Sequence, residues 1–247
     1  MKKYIAIIVV AFACFLLGGC GDETAPTIEG VEETVDVQCG TEFNLTDYVS
    51  EQIEIKDDSG EDPEVTINCD EKVYDNKTGK VNTGKDGEYV VKITAKDAAE
   101  NTTEKEFTLK LNPIHITKDN KTPVVYDGEY AKIQFTEFSH GDVYGEQGYH
   151  IKSEIENKSD EDLSINLTGR DGLTVINKHQ IPVYVFDDSD VIGAGLINTV
   201  DQSINDSDIP EDIGTIKEIK TTYSIKKAGS DERILTIPVI IDVNIAD

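Results

Sequence analysis

The spacing at which apolar side chains recur constrains this chain more than any other feature, and from Ala25 onward that spacing is two. Val35, Val37 and Cys39 alternate with Asp36 and Gln38, and Val65, Ile67 and Cys69 alternate with Thr66 and Asn68. Tyr89, Val91, Ile93 and Ala95 fall on one face of a longer run, and Phe107, Leu109 and Leu111 on one face of the next. Successive side chains of a strand point to opposite faces, so each run reads as a half-buried strand. Asp57-Asp58-Ser59-Gly60, Thr78-Gly79 and Lys85-Asp86-Gly87 supply the turns between them, and no long helical period interrupts the pattern. Strands with one apolar face each must bury those faces against one another, which predicts an antiparallel sandwich and an all-β chain.

The pattern breaks at Asn112-Pro113 and then resumes. Ala131, Ile133 and Phe135 make one predicted strand; Tyr149, Ile151, Ser153 and Ile155 a second; Leu163, Ile165 and Leu167 a third; Val183 and Val185 a fourth. Gly193 to Ile204 reads as extended, and Ile219, Thr221, Tyr223 and Ile225 precede a final strand from Ile234 to Ile245. Ser207 to Gly214 reads as a short helical turn with an acidic start and a closing glycine. The expected organisation is two β-sandwich domains in tandem, 25–112 and 113–247.

Three segments carry a resemblance for the first domain: Ala25-Pro26-Thr27-Ile28-Glu29-Gly30, Cys39-Gly40-Thr41-Glu42-Phe43, and Gly87 to Asn101 ending in Asp97-Ala98-Ala99-Glu100-Asn101. Their order resembles the immunoglobulin-like modules repeated in bacterial cell-surface proteins and found also in a pesticidal crystal protein. In those modules the last two strands are joined by an Asp-Ala-Ala-Gly-Asn turn, and Glu100 stands here at the glycine position. The resemblance implies a β-sandwich used as spacer or adhesive unit, with no catalytic residues. The stretch Ile155 to Leu163 resembles a strand-turn-strand of the uncharacterised sandwich modules that end many Gram-positive lipoproteins, which implies no defined activity.

Ahead of the first strand lie Met1-Lys2-Lys3, an apolar run from Tyr4 to Leu17, and Gly18-Gly19-Cys20. Charged, apolar and small-residue regions in that order describe an export signal. The run is shorter than the roughly 20 residues that a membrane span needs. Leu17-Gly18-Gly19-Cys20 resembles the lipobox of bacterial lipoprotein precursors. That resemblance implies a diacylglyceryl and palmitate-bearing Cys20 as the new N-terminus, a signal peptide at 1–19, a short linker at 20–24, and a chain held at the extracytoplasmic face of the cell membrane. Two or more acyl chains anchor stably where one is marginal.

The formal charge is −26, and the excess of acid is even: residues 21–112 carry 24 Asp and Glu against 9 Lys, and residues 113–247 carry 25 against 12 Lys and Arg. Nucleic acid is excluded as a partner, because phosphate backbones are bound by basic side chains in number. The same field repels an anionic membrane surface, so the lipid is the adhesive part.

Few residues suggest chemistry. Cys39 and Cys69 remain after lipidation and either form a disulfide, worth about 3 kcal/mol in the loop-entropy model, or stay as buried thiols. Asp57, Asp58, Glu61 and Asp62 share one turn, and Asp187, Asp188 and Asp190 another; both are weak calcium candidates that lack the twelve-residue loop pattern. His115, His140, His150 and His179 show no metal-ligand spacing. Gly193-Ala194-Gly195 lacks the rest of a nucleotide fingerprint, and no nucleophile elbow is present. No cofactor is expected. Tyr126, Tyr130, Tyr144 and Tyr149, gathered around Phe135 and Phe138, are the candidate partner-binding face for a protein or glycan. The reading is a non-enzymatic binding, adhesion or display protein. The alternative is an envelope-associated hydrolase, or accessory subunit, acting through paired carboxylates.

Overall fold

The computed structural model describes residues 22–143, 145–167, 174–185, 191–230 and 233–245. The chain is all-β and built from several sheets. The first unit contains β1 (Thr27–Glu29), β2 (Thr34–Gln38), α1 (Leu45–Gln52), β3 (Glu54–Lys56), β4 (Glu64–Asn68), β5 (Gly87–Lys96) and β6 (Thr102–Asn112). Its main sheet runs β2-β6-β5-β4, with β2 parallel to β6 and the other pairs antiparallel. Val91, Ile93 and Ala95 on β5, and Phe107, Leu109 and Leu111 on β6, are buried as their alternation requires. The β1–β3 pair and α1 contribute Ile28, Leu45, Val49 and Ile53 to the same apolar cluster.

Helix α1 was not foreseen, although its signals are in the sequence. Asn44 caps it, its Oδ1 accepting from the backbone N–H groups of Thr46 at 3.0 Å and Asp47 at 3.2 Å. Leu45, Val49 and Ile53 follow at four-residue spacing on the buried side. Eight residues give that period barely two repeats, too few to stand out against strands.

The turn that joins β5 to β6 keeps left-handed geometry without glycine. Glu100 has φ +74°. Asp97 fixes the turn by accepting from the backbone N–H of Asn101 at 2.8 Å and from its side-chain Nδ2 at 2.8 Å. The same Nδ2 reaches the carbonyls of Asp22 at 2.9 Å and Thr24 at 3.3 Å, so the chain is tied to this turn from its first described residue.

Beyond Pro113 come β7 (Ile114–Ile116), β8 (Val124–Asp127), β9 (Ala131–Val143), β10 (Glu146–Asn157), β11 (Leu163–Leu167), β12 (Thr174–Ile176), β13 (His179–Ile181), β14 (Tyr184–Val185), β15 (Val191–Ile192), β16 (Ile197–Asn205), β17 (Glu218–Lys227) and β18 (Arg233–Asp242). One sheet runs β14-β16-β10-β9-β8. The other runs β13-β12-β17-β11-β15, with β18 antiparallel on the free edge of β17 and β7 parallel on β18. Ile133, Phe135, Ile151 and Ile155 from the first sheet meet Ile165, Tyr223, Ile225 and Ile241 from the second in one core. The buried apolar residues of the chain thus fall into two clusters, Ile28 to Leu111 and Ile114 to Ile245, with Asn112 and Pro113 between them. Three local readings change. Gly193 to Leu196 turns the chain between β15 and β16, the helical turn is a single 3-10 turn at Asp206–Asp208, and the last strand ends at Asp242 before a 3-10 turn at Val243–Ile245.

Polar side chains cross this core at three places. Ser153 on β10 and Tyr223 on β17 share a buried hydroxyl hydrogen bond. Gln202 on β16 treats Leu167 on β11 as a neighbouring strand: its Oε1 accepts from the Leu167 N–H at 2.8 Å and its Nε2 donates to the Leu167 carbonyl at 3.1 Å. Asn157, 0% exposed, closes β10. Its Nδ2 donates to the carbonyls of Glu161 and Ile192, both at 2.8 Å, and its Oδ1 accepts from the N–H of Ser159 at 2.9 Å and its hydroxyl at 2.8 Å.

Two stability effects follow from these geometries. Asn157→Ala takes the Asn157 amide away from the buried Ile192 carbonyl and the Ser159 N–H, while the Glu161 carbonyl keeps the Ser159 hydroxyl, and is expected to cost about 2 kcal/mol in urea unfolding, whereas Asp160→Ala in the same turn changes stability by less than about 0.5 kcal/mol. Glu100→Gly is expected to raise stability by up to about 1 kcal/mol, because it relieves the left-handed backbone; a midpoint lowered by this change would contradict the assignment of strain to that position.

Candidate functional site

A groove of about 530 Å³ lies where the two units meet. The first unit supplies the turn at Asp70, Lys72 and Val73, the turn at Gly84, Lys85 and Asp86 that leads into β5, and Tyr89. The second supplies Lys220, Thr221 and Thr222 of β17, Arg233, Thr236 and Pro238 to Ile240 of β18, and Val175 of β12. Pro113 bridges the two.

Close backbone approach holds the groove together. The Thr236 hydroxyl donates to the Gly84 carbonyl at 3.0 Å. A Cβ on Gly84 would lie 2.8 Å from the Thr236 carbonyl oxygen, so no larger residue fits there without parting the units. Nearby, a Cβ on Gly40 would lie 3.3 Å from both Cγ atoms of Ile237. The parallel pairing of β7 with β18 begins one residue after Pro113, so the connection has almost no slack.

Among the described residues four cations and two carboxylates line this groove, in a chain whose charge is −26. Lys220 pairs with Glu218 at 3.1 Å. Lys85 donates to the Lys72 carbonyl at 3.2 Å. Among the described residues, no carboxylate pairs with Lys72, Lys85 or Arg233. The Tyr89 hydroxyl donates to the Asp86 carbonyl at 3.2 Å, which turns the tyrosine's polar end toward the turn. The arrangement favours an anion at its rim and an apolar surface along its floor. Sequence reasoning missed it because its residues come from six separated segments.

The residues singled out from the sequence are distributed differently. Cys20 and Tyr144, and Asp187, Asp188 and Asp190, lie outside the described residues. Tyr126 and Tyr149 are not a binding face: they are 8% and 9% exposed and belong to the core. Tyr149 stacks on Phe138 with ring centroids 5.5 Å apart, and Tyr130 is half-buried against the same cluster. Tyr126 and Tyr149 occupy inward positions of strands, where burial of a large ring outweighs exposure of its hydroxyl.

Cys39 and Cys69 are both free thiols, so the candidate disulfide is not formed. Cys39 follows β2 and Cys69 follows β4, the two edges of the four-stranded sheet. Three inter-strand spacings separate those edges, roughly 14 Å, whereas bridged Cα atoms lie within about 7 Å. Of the acidic turn, Asp57 and Asp58 come together with Asp22, their nearest oxygens all within 4.8 Å, while Glu61 and Asp62 are not part of the group. Asp57 is occupied by its own turn, accepting from the N–H of Ser59 at 3.0 Å and from the Ser59 hydroxyl. His115 pairs with Asp242 at 2.9 Å and His140 with Asp206 at 3.0 Å. His150 is buried beside Asp201, and desolvation holds its pKa below the ordinary value against the opposing pull of that carboxylate.

Burial, reinforced by the charge of Asp86, pushes the Cys39 thiol up to about 12, and burial raises Cys69 as well. A thiol whose folded pKa exceeds the unfolded value of 9 stabilises the fold below pH 9 and loses that contribution as pH climbs towards 12. Stability is therefore expected to fall over that range less steeply in Cys39→Ala than in the parent chain, measured by urea midpoints at each pH. Thiol titration of the mature chain is expected to find two reactive groups in denaturant and none reacting quickly at Cys39 when folded at pH 8; zero in denaturant means a disulfide.

No protein-family model matches the chain, and no curated protein compared with it is similar.

Proposed function

We propose that the chain is a non-enzymatic, lipid-anchored cell-surface protein, in which the first β-unit is a spacer beside the membrane and the second carries the chain's binding surface outward. The observation that carries this reading is the joining of two features. Leu17-Gly18-Gly19-Cys20 has the form of a lipoprotein cleavage site. Only two residues later the chain is pinned, its Asp22 carbonyl held by Asn101. Two residues reach at most about 7 Å, so acylation at Cys20 seats the Asp97–Asn101 end of the first unit on the bilayer.

Supporting details come from fold and charge. The Asp97-Ala98-Ala99-Glu100-Asn101 turn and a β2 strand parallel to the last strand of the unit accord with an immunoglobulin-like spacer. Among the described residues no helix is long and apolar enough to cross a membrane. An acidic body is repelled by anionic lipid, and that leaves the acyl chains to supply the attachment. A cleft between units is a common place for a small-molecule site.

Metabolic labelling with a clickable fatty acid, followed by cell fractionation, tests the anchor. The parent chain is expected to take up label and remain with membranes, and Cys20→Ala to take up none and fail to mature. Equal labelling of the two forms, or none in either, would sink the reading.

A further inference from the structure

We propose that the groove at the junction of the two units binds a small acidic saccharide, its carboxylate or phosphate held among Lys72, Lys85, Lys220 and Arg233 and its ring laid along the apolar floor. The proposal rests on the binding role put forward above and gives it a ligand class.

Charge complementarity is the first argument. Acids outnumber bases by more than two to one in this chain, 49 to 23, yet among the described residues bases outnumber acids four to two around this groove. Each unit contributes two of the four cations, so they face the hollow from both walls, and three have no carboxylate partner among the described residues. The repulsive field of the remaining surface does not cancel them. At physiological salt the screening length is about 8 Å, so a ligand inside the groove responds to the lining and little to the distant acids.

The lining also separates a saccharide from other anions. Tyr89, Pro113, Pro238 and Ile240 provide apolar surface of the kind that packs against the C–H face of a sugar ring. Thr222 is half-buried in the groove with a hydroxyl that has no partner among the described residues, placed to exchange hydrogen bonds with sugar hydroxyls. A peptide held by strand addition needs an unpaired strand edge. Along the floor β17 offers none, since it pairs with β18 on one side and with β11 and β12 on the other, and β7 covers β18 from Val239 to Ile241. The volume lies in the range of sites for small ligands, about 300–1,000 Å³.

The test uses the full chain in non-ionic detergent and titration calorimetry with trigalacturonic acid, maltotriose, inorganic phosphate and hexaglutamate. Trigalacturonic acid is expected to bind saturably and more weakly as salt rises. The double change Lys85→Gln with Arg233→Gln should weaken it at least about tenfold, from the loss of two charge-assisted contacts. Maltotriose should bind at least about tenfold more weakly than trigalacturonic acid, since it lacks the charge. Gly84→Val, which parts the walls, should abolish binding, and Lys105→Gln on β6, away from the groove, should leave it unchanged. Absence of saturable binding by both trigalacturonic acid and phosphate overturns the site, as does binding indifferent to the double change. Phosphate binding as tightly as the trisaccharide overturns the part assigned to the ring, and tighter binding of hexaglutamate overturns the saccharide class. Because Cys20→Ala leaves the groove intact, a failed acylation test and a failed titration are separate results.

Discussion

Among the described residues, three polar cross-links join the two sheets of the second unit through its core. Ser153 to Tyr223, Gln202 to the backbone of Leu167, and Asn157 to Ile192 each join one sheet to the other. Apolar contact alone tolerates sliding, because one isoleucine serves nearly as well as another. A buried amide does not, since each unmet donor or acceptor costs about 1–3 kcal/mol. The cross-links therefore set the register in which Ile133, Phe135, Ile151 and Ile155 meet Ile165, Tyr223 and Ile225. That register in turn fixes where β17 and β18 present their outer face.

That outer face forms one wall of the groove between the units. The first unit abuts β18 through Gly84 and Gly40, two positions where a missing side chain lets backbone and core approach closely. Pro113 joins β6 to β7 with no further linker, and β7 is locked at once into the sheet of the second unit. The usual expectation for tandem domains is relative motion. Here a short connection, a hydrogen bond from Thr236 to Gly84 and tight glycine contacts act against it. A site built from both walls needs that restraint, because its cations are useful only while they converge.

Charge separates the outside of the protein from this hollow. An acidic surface keeps the chain soluble and away from anionic lipid. Some of the bases form local pairs, such as Lys96 with Glu100, Lys152 with Glu137 and Lys227 with Glu161. Exposed pairs of this kind contribute little to stability. Lys72, Lys85 and Arg233 pair with no carboxylate among the described residues and have the shaped surface of the groove around them.

The alternation of apolar residues determined the all-β architecture, the inward rows of β5, β6, β9, β10 and β17, and the break at Asn112-Pro113, because a period of two leaves a strand only one face to bury. Helix α1 and the short strands β1, β3, β12 and β13 were not legible: segments of three to eight residues carry too few repeats of any period. The candidate sites were read least well. Tyr126 and Tyr149 looked like a surface patch because composition cannot tell an inward ring from an outward one, and Cys39 and Cys69 looked like a pair because sequence distance says nothing of strand order. Only the tertiary structure decided that β2 and β4 are opposite edges, that Asp22 joins Asp57 and Asp58, and that Lys72, Lys85, Lys220 and Arg233 surround one groove. Local pattern is set by bonded neighbours, whereas convergence of distant residues is set by packing the whole chain.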